Sequence, residues 1–254
     1  MVFRYRWRRQ EGDVMRRIVV LALGVLLALT LVAPMASAQV GQGAKASGKA
    51  AQLAAAWWQW ALADPVATSP LVGDYAGGPQ CDGQPLRDVP GKKWFLAGSF
   101  DGSAVERTCT MPVGTQLFFP VFNFIWINTE PHETEELARE EARKFIESVL
   151  ADPDLSITVT VDGKEVKSKR IVRTDSPFFA SQIPEDNVFD CPQCEEPFDL
   201  PAGSYEGVAD GLWAALPPLS KGEHTIHVEV SAPNVRFSQD FTYHLTVVNG
   251  KRVP

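Results

Sequence analysis

Residues 115–126 read TQLFFPVFNFIW, and the rest of the chain is organised around them. Both alternating sets are apolar, with Phe118, Phe122, Phe124 and Trp126 on one and Leu117, Phe119, Val121 and Ile125 on the other. A strand of that composition must be covered on both faces, so it belongs in the middle of its sheet. Pro120 has no N–H to give to a ladder and fits such a strand only at a bulge or a gap in the pairing. Asn123 is the one polar side chain among residues 117–126. Once buried, its amide must find partners, either as a structural pin for a neighbouring loop or as a contact to a ligand.

Working outward, residues 93–97 and 105–111 also read as strands, and Pro112-Val113-Gly114 makes a tight turn into the central run. Residues 132–150 return to helical spacing through Leu137, Ala138, Ala142, Phe145, Ile146 and Val149, with Asp152-Pro153 as the stop. Residues 155–161 and 164–172 flank Asp162-Gly163, the dipeptide of a type I′ hairpin turn. Residues 176–183 are a further strand candidate, residues 184–203 a long acidic loop, and residues 204–216 only weakly strand-like.

Two alternating strands close the chain. His224, Ile226, Val228 and Val230 form one face of the first, and Val235, Phe237, Phe241, Tyr243, Leu245 and Val247 one face of the second. A turn at residues 231–234 pairs Val230 with Val235 and sets Glu229 opposite Arg236. The expected fold is an antiparallel β-sandwich or jelly roll with two peripheral helices.

Residues 43–63 begin as a flexible Gly/Ala/Lys/Ser tail and become the other helix, which ends at Asp64-Pro65. It carries Trp57, Trp58 and Trp60, which cannot share one face because adjacent positions lie about 100° apart. At least one of them is therefore expected at a groove, a partner or solvent.

The N-terminal residues read as a targeting segment. Arg16 and Arg17 precede an apolar run over residues 18–33, Pro34 breaks it, and Ala36-Ser37-Ala38 is a signal-peptidase pattern. The expected organisation is a signal peptide over residues 1–38, a flexible tail over 39–50 and a single domain over 51–254. The chain is then exported, secreted or periplasmic, and not stably inserted in the membrane after cleavage. Met1 and Met15 both remain open as starts. Removing residues 1–38 takes away six Arg and two acids and leaves 18 Lys and Arg against 29 Asp and Glu, a formal charge of −11. Such a surface repels phosphate backbones, which excludes nucleic acid as a partner.

Four cysteines in an exported chain suggest two disulfides. Cys81 lies in a Gly/Pro/Asp loop and Cys109 in a strand, and pairing them would staple the loop to the sheet. Cys191-Pro192-Gln193-Cys194 can be a local disulfide, half of a metal site or a redox pair. Asp190, Glu195 and Glu196 around it raise thiol pKa values and favour the disulfide.

Several segments resemble a family of exported bacterial proteins of no established function. They are WWQW at 57–60, WFLAG at 94–98, PVGTQLFFPVFN at 112–123, PEDNVF at 184–189, VADG at 208–211, GEHTIH at 222–227 and TYHLTV at 242–247. The resemblance covers nearly all of the mature chain and implies export and a β-rich domain, with no catalytic residue to carry over. The CPQC insert departs from the family's usual spacing after PEDN.

No GxSxG, HExxH or P-loop is present, and no cofactor is implied. His227 and His244 are weak metal or acid–base candidates on a polar strand face with Glu229 and Asp240. Glu135, Asp186 and Asp210 are among the carboxylates a glycoside hydrolase could use. The favoured reading is a binding module for an extracellular polymer or small ligand, with a carboxylate hydrolase and a structural envelope protein as the alternatives. The expected ligand-binding residues are Trp57, Trp58, Trp60, Asn123, Asp186, Asn187, Asp210 and Trp213. They bound a groove between the Trp helix and residues 184–211.

Overall fold

The computed structural model describes residues 48–73, 93–189 and 200–249. In chain order the elements are α1 (Lys49–Leu62), β1 (Lys93–Phe95), β2 (Val105–Pro112), β3 (Gln116–Ile127), α2 (Glu135–Leu150), β4 (Ser156–Val161) and β5 (Lys164–Glu165). They continue with β6 (Ile171–Asp175), β7 (Phe179–Ile183), β8 (Gly203–Leu216), β9 (Gly222–Ala232) and β10 (Phe237–Val248). One sheet runs β1-β3-β8-β6, with β7 also paired to β8, and the other runs β2-β10-β9-β4-β5. The two pack as a β-sandwich. Most pairs are antiparallel, but β1 joins β3 and β2 joins β10 in parallel. Residues 112–114 therefore carry the chain from one sheet to the other instead of closing a hairpin, with Gly114 at φ 82°.

The central run is the central strand, with β1 on one side and β8 on the other. The pairing of β3 with β8 shifts by one residue between Pro120 and Phe122, at the proline that could not donate. That extra residue exchanges the faces. Before the bulge, Leu117 and Phe119 enter the core between the sheets; after it, Phe122 and Phe124 do. Phe118, Ile125 and Ile127 enter a second core under α1. The two sets expected from unbroken alternation are thus recombined, because a bulge changes the parity of everything after it.

β8 is stronger than its composition suggested. It runs for 14 residues, receives β3 along one edge and β7 and then β6 along the other. Gly207 and Gly211 lower its strand propensity, but a Cβ at 207 would lie 2.3 Å from the Trp126 carbonyl oxygen, and one at 211 would lie 2.6 Å from Asn123 Cβ. Small residues are what let β3 approach so closely.

Three further expectations are corrected. The type I′ turn is present, with Asp162 at φ 52° and Gly163 at φ 71°, but its second strand ends at Glu165 and the chain crosses to the other sheet as β6. The β9–β10 turn lies four residues further along in register, so Phe237 faces Ala232 and Asp240 faces Glu229. A 3₁₀ turn over Pro233–Val235 and Arg236 in the left-handed region take up the difference. Asp152 holds that turn by accepting from the Asn234 backbone N–H at 2.8 Å and side-chain amide at 2.7 Å. A shift of four keeps parity, so the apolar faces still coincide. Lastly, the helix expected from residue 132 begins at Glu135, where the Thr134 hydroxyl accepts from the Leu137 N–H.

α1 covers the outer face of the β3–β8 sheet through Leu53, Trp57, Trp58, Ala61 and Leu62. α2 reaches the core between the sheets with Ala142, Ile146 and Val149, and its Phe145 stacks on Phe124 at 4.5 Å. Cys109 is buried on β2 and is disulfide-bonded. The expected partner Cys81, the CPQC segment and the targeting segment lie outside the described residues.

Candidate functional site

Trp57 and Trp58 leave α1 on neighbouring bearings, and both are buried. Their rings meet edge to face at 4.9 Å. Trp57 continues inward to Trp213 at 5.6 Å and donates its indole N–H to the Leu96 carbonyl at 2.9 Å. The buried indole N–H of Trp58 has no partner.

Pro120 and Asn123 line a small pocket with Trp57 and Trp58, closed by Leu71, by Gly98, Ser99 and Phe100, and by Phe237 and Gln239 from β10. The free space is about 20 Å³, room for one water-sized group. Asn123 Nδ2 and Gln239 Nε2 are buried without hydrogen-bond partners.

Gly98 is needed here. A Cβ at that position would come within 2.1 Å of Gln239 Nε2, so the amide lies directly on the glycine backbone. The loop is fixed by its own bonds. The Ser99 hydroxyl donates to the Ser103 carbonyl at 2.5 Å, Ser103 donates twice to Asp101, and the Phe100 N–H donates to the Leu71 carbonyl at 2.8 Å. Three residues that each carry a buried, unpartnered N–H, Trp58, Asn123 and Gln239, therefore line one small pocket. Unpaired buried donors cost about 1–3 kcal/mol each, and an oxygen atom placed among them recovers part of that cost. No described lining residue is a carboxylate, a histidine or a cysteine.

Three of the expected site residues, Trp57, Trp58 and Asn123, meet in this pocket. Trp60 is half-buried between Trp57 and Phe95. Trp213 is fully buried and stacks on Phe118 at 5.1 Å. Asn187 is a loop pin that donates to the Pro184 and Leu200 carbonyls and accepts from the Phe189 N–H. Asp186 is exposed, and its backbone carbonyl accepts from Val66. Asp210 is buried and pairs with Arg173 at 2.8 Å. Burial pushes the Asp210 carboxyl up, against the pull of that guanidinium. Residues 190–199 of the expected groove lie outside the described residues.

His227 meets Asp240 at 3.2 Å and His244 meets Glu106 at 2.5 Å. Among the described residues, no three His, Cys, Asp or Glu side chains gather to hold a metal. Glu135 is held by Arg139 in an i,i+4 pair.

Gln239 was overlooked, although the signal for it was in the sequence. It stands at an odd position of β10 between inward-facing Phe237 and Phe241, where a polar residue breaks the apolar set.

No family model matches the chain, and no curated protein matches it. Among solved structures, it is similar to the solution structure of amebosin, with 15% identity over 63% of this chain and 99% of that one at a TM-score of 0.20. It is also similar to the cysteine protease inhibitor EhICP2 from Entamoeba histolytica, with 9% identity, 63% and 99% coverage and a TM-score of 0.22. A third is PbICP-C in complex with falcipain-2, with 13% identity, 62% and 100% coverage and a TM-score of 0.23.

Proposed function

We propose that this is an exported binding module whose site is the pocket between Trp58, Asn123 and Gln239. The observation that carries the reading is that three residues with buried, unpartnered N–H groups line one small pocket. Its size admits a single acceptor group, such as a carbonyl, carboxylate or hydroxyl oxygen projecting from a small ligand or from one unit of a polymer. Affinity then comes from hydrogen bonds made in a dry site, where they are stronger than in water. The carboxylate-hydrolase alternative draws no support from this pocket, whose described walls hold no acid or base. Export rests on the sequence pattern over residues 16–38.

The reading is tested by measuring thermal shifts of the mature protein with acetate, acetamide and N-acetylglucosamine as acceptor-bearing probes. At least one should raise the melting temperature of the wild type, and Asn123→Leu and Gln239→Met should abolish the shift. A wild-type protein indifferent to all three probes, or variants that respond like wild type, would overturn it.

A further inference from the structure

A second pocket lies at the end of the β3–β8 sheet where β1 and β3 begin and β8 ends. Its free volume is about 150 Å³, about that of a cavity known to hold benzene. Leu53, Phe118 and Leu216 supply apolar wall, and Lys93, Gln116 and Arg170 supply the polar groups. Lys93 is 8% exposed, far less than a lysine ordinarily is.

Buried lysines are normally paired. Among the described residues no carboxylate pairs with Lys93 or with Arg170. The electrostatic neighbour of Lys93 is a second cation, Lys49 in the first turn of α1. Burial, and then that neighbour, hold the Lys93 pKa below the ordinary lysine value. The N-terminal end of α1 adds its own partial positive charge to the same corner. Among the described residues, cations therefore collect here without a counter-charge, in a chain that is acidic overall. What would neutralise them is an anion from outside.

We propose that this pocket binds a small organic carboxylate with an apolar body about the size of benzoate, its carboxylate on Lys93 and Arg170 and its body on Leu53, Phe118 and Leu216. The site is separate from the Trp58 pocket, with which it shares no lining residue, and rests on a different observation. Charge alone would take any anion, so the apolar walls are what select a carbon-rich one.

Titration calorimetry on the mature wild-type protein with benzoate, benzyl alcohol and inorganic phosphate tests this. Benzoate should bind, benzyl alcohol and phosphate should bind more weakly, and Lys93→Met should weaken benzoate by about tenfold or more. Lys93→Met keeps the apolar stem and removes an uncompensated buried charge, so it should fold and melt no earlier than wild type. Arg170→Gln should weaken benzoate less, because Arg170 is exposed. No heat with benzoate up to about 10 mM, phosphate binding tighter than benzoate, or Lys93→Met binding benzoate like wild type would each overturn the proposal. Asn123→Leu should leave benzoate binding intact. Its loss there would place the anion in the Trp58 pocket and overturn the assignment to Lys93.

Discussion

Two buried polar clusters sit on either side of the Ala97–Gly98 peptide, and they are finished to different degrees. On one side Arg107, 1% exposed on β2, donates to the Ala97 carbonyl, to the Tyr243 hydroxyl at 2.9 Å and to the Gly73 carbonyl at 3.1 Å. Tyr243 in turn donates to the Ala97 carbonyl and accepts from its N–H. On the other side Trp58, Asn123 and Gln239, each with a buried, unpartnered N–H, line the small pocket. The first cluster is a closed structural network. The second leaves three N–H groups without a partner.

An unpaired indole alone would not support that contrast. Trp60, Trp94, Trp126 and Trp213 also carry buried, unpartnered N–H groups, so the state is common in this chain. The second cluster is distinguished by two amides that join an indole at a preformed opening.

The contrast is broken most directly at Arg107. Arg107→Leu would delete the charge-assisted bonds to Tyr243 and to the Ala97 and Gly73 carbonyls and leave the Gly73 carbonyl without these donors, and we expect a loss of about 3 kcal/mol or more in chemical denaturation. A loss below about 1 kcal/mol would mean that the network is no more structural than the pocket. Next in size is Trp57→Phe, which keeps a ring in the core but deletes the bond to Leu96. About 1–3 kcal/mol should be lost, visible as an earlier unfolding midpoint.

The unfinished cluster should respond in the opposite sense. Trp58→Phe and Asn123→Leu remove donors that have no partner, so stability should stay within about 1 kcal/mol of wild type or rise, while the thermal shift with acceptor-bearing probes disappears. Loss of stability comparable to that in Arg107→Leu would show that the donors already have partners. Gly98→Ala is a finer probe, because its new Cβ meets only the far end of the Gln239 side chain. It should displace that amide and weaken probe binding with little change in unfolding midpoint.

How much of this could be read beforehand depends on which residues break a local pattern. β3, both helices, the type I′ turn and the sandwich class follow from periodicity and from Pro, Gly and Asp signals, which act over a few residues. The recombined faces of β3 did not, because the bulge at Pro120 was foreseen while its effect on parity was not carried past Val121. β8 was underrated because Gly207 and Gly211 serve the approach of β3, a tertiary requirement that propensity cannot register. Of the candidate site, Trp57, Trp58 and Asn123 stood out as apolar surplus and as the polar exception in an apolar run. Gly98 and Gln239 belong to segments far apart in the chain, and only the assembled fold puts the amide on the glycine.

The smallest effect belongs to a finished polar cluster at the surface, around His224. Nδ1 lies 2.8 Å from Asp162 Oδ2, and Nε2 lies 3.0 Å from the Ser220 carbonyl oxygen, so the imidazolium, with a donor on each nitrogen, is the form that fits. Burial works against that charge, but the bonds to Asp162 and Ser220 outweigh it and raise the pKa. A raised histidine pKa contributes stability that is fully present below its unfolded value of about 6.5 and lost as pH rises through the folded value. The Asp162 carboxyl is lowered in spite of burial, by the Thr225 N–H at 2.9 Å and by His224. Its contribution is present above the unfolded value of about 3.9 and lost as pH falls through the folded one. Both contributions are therefore whole between about pH 4 and pH 6.5. His224→Gln should lower the melting temperature relative to wild type near pH 6, and the gap should narrow toward about pH 8. A gap that is constant or widens over that range would mean that His224 is neutral in the folded protein, and the cluster would then be no better matched than the pocket beneath Trp58.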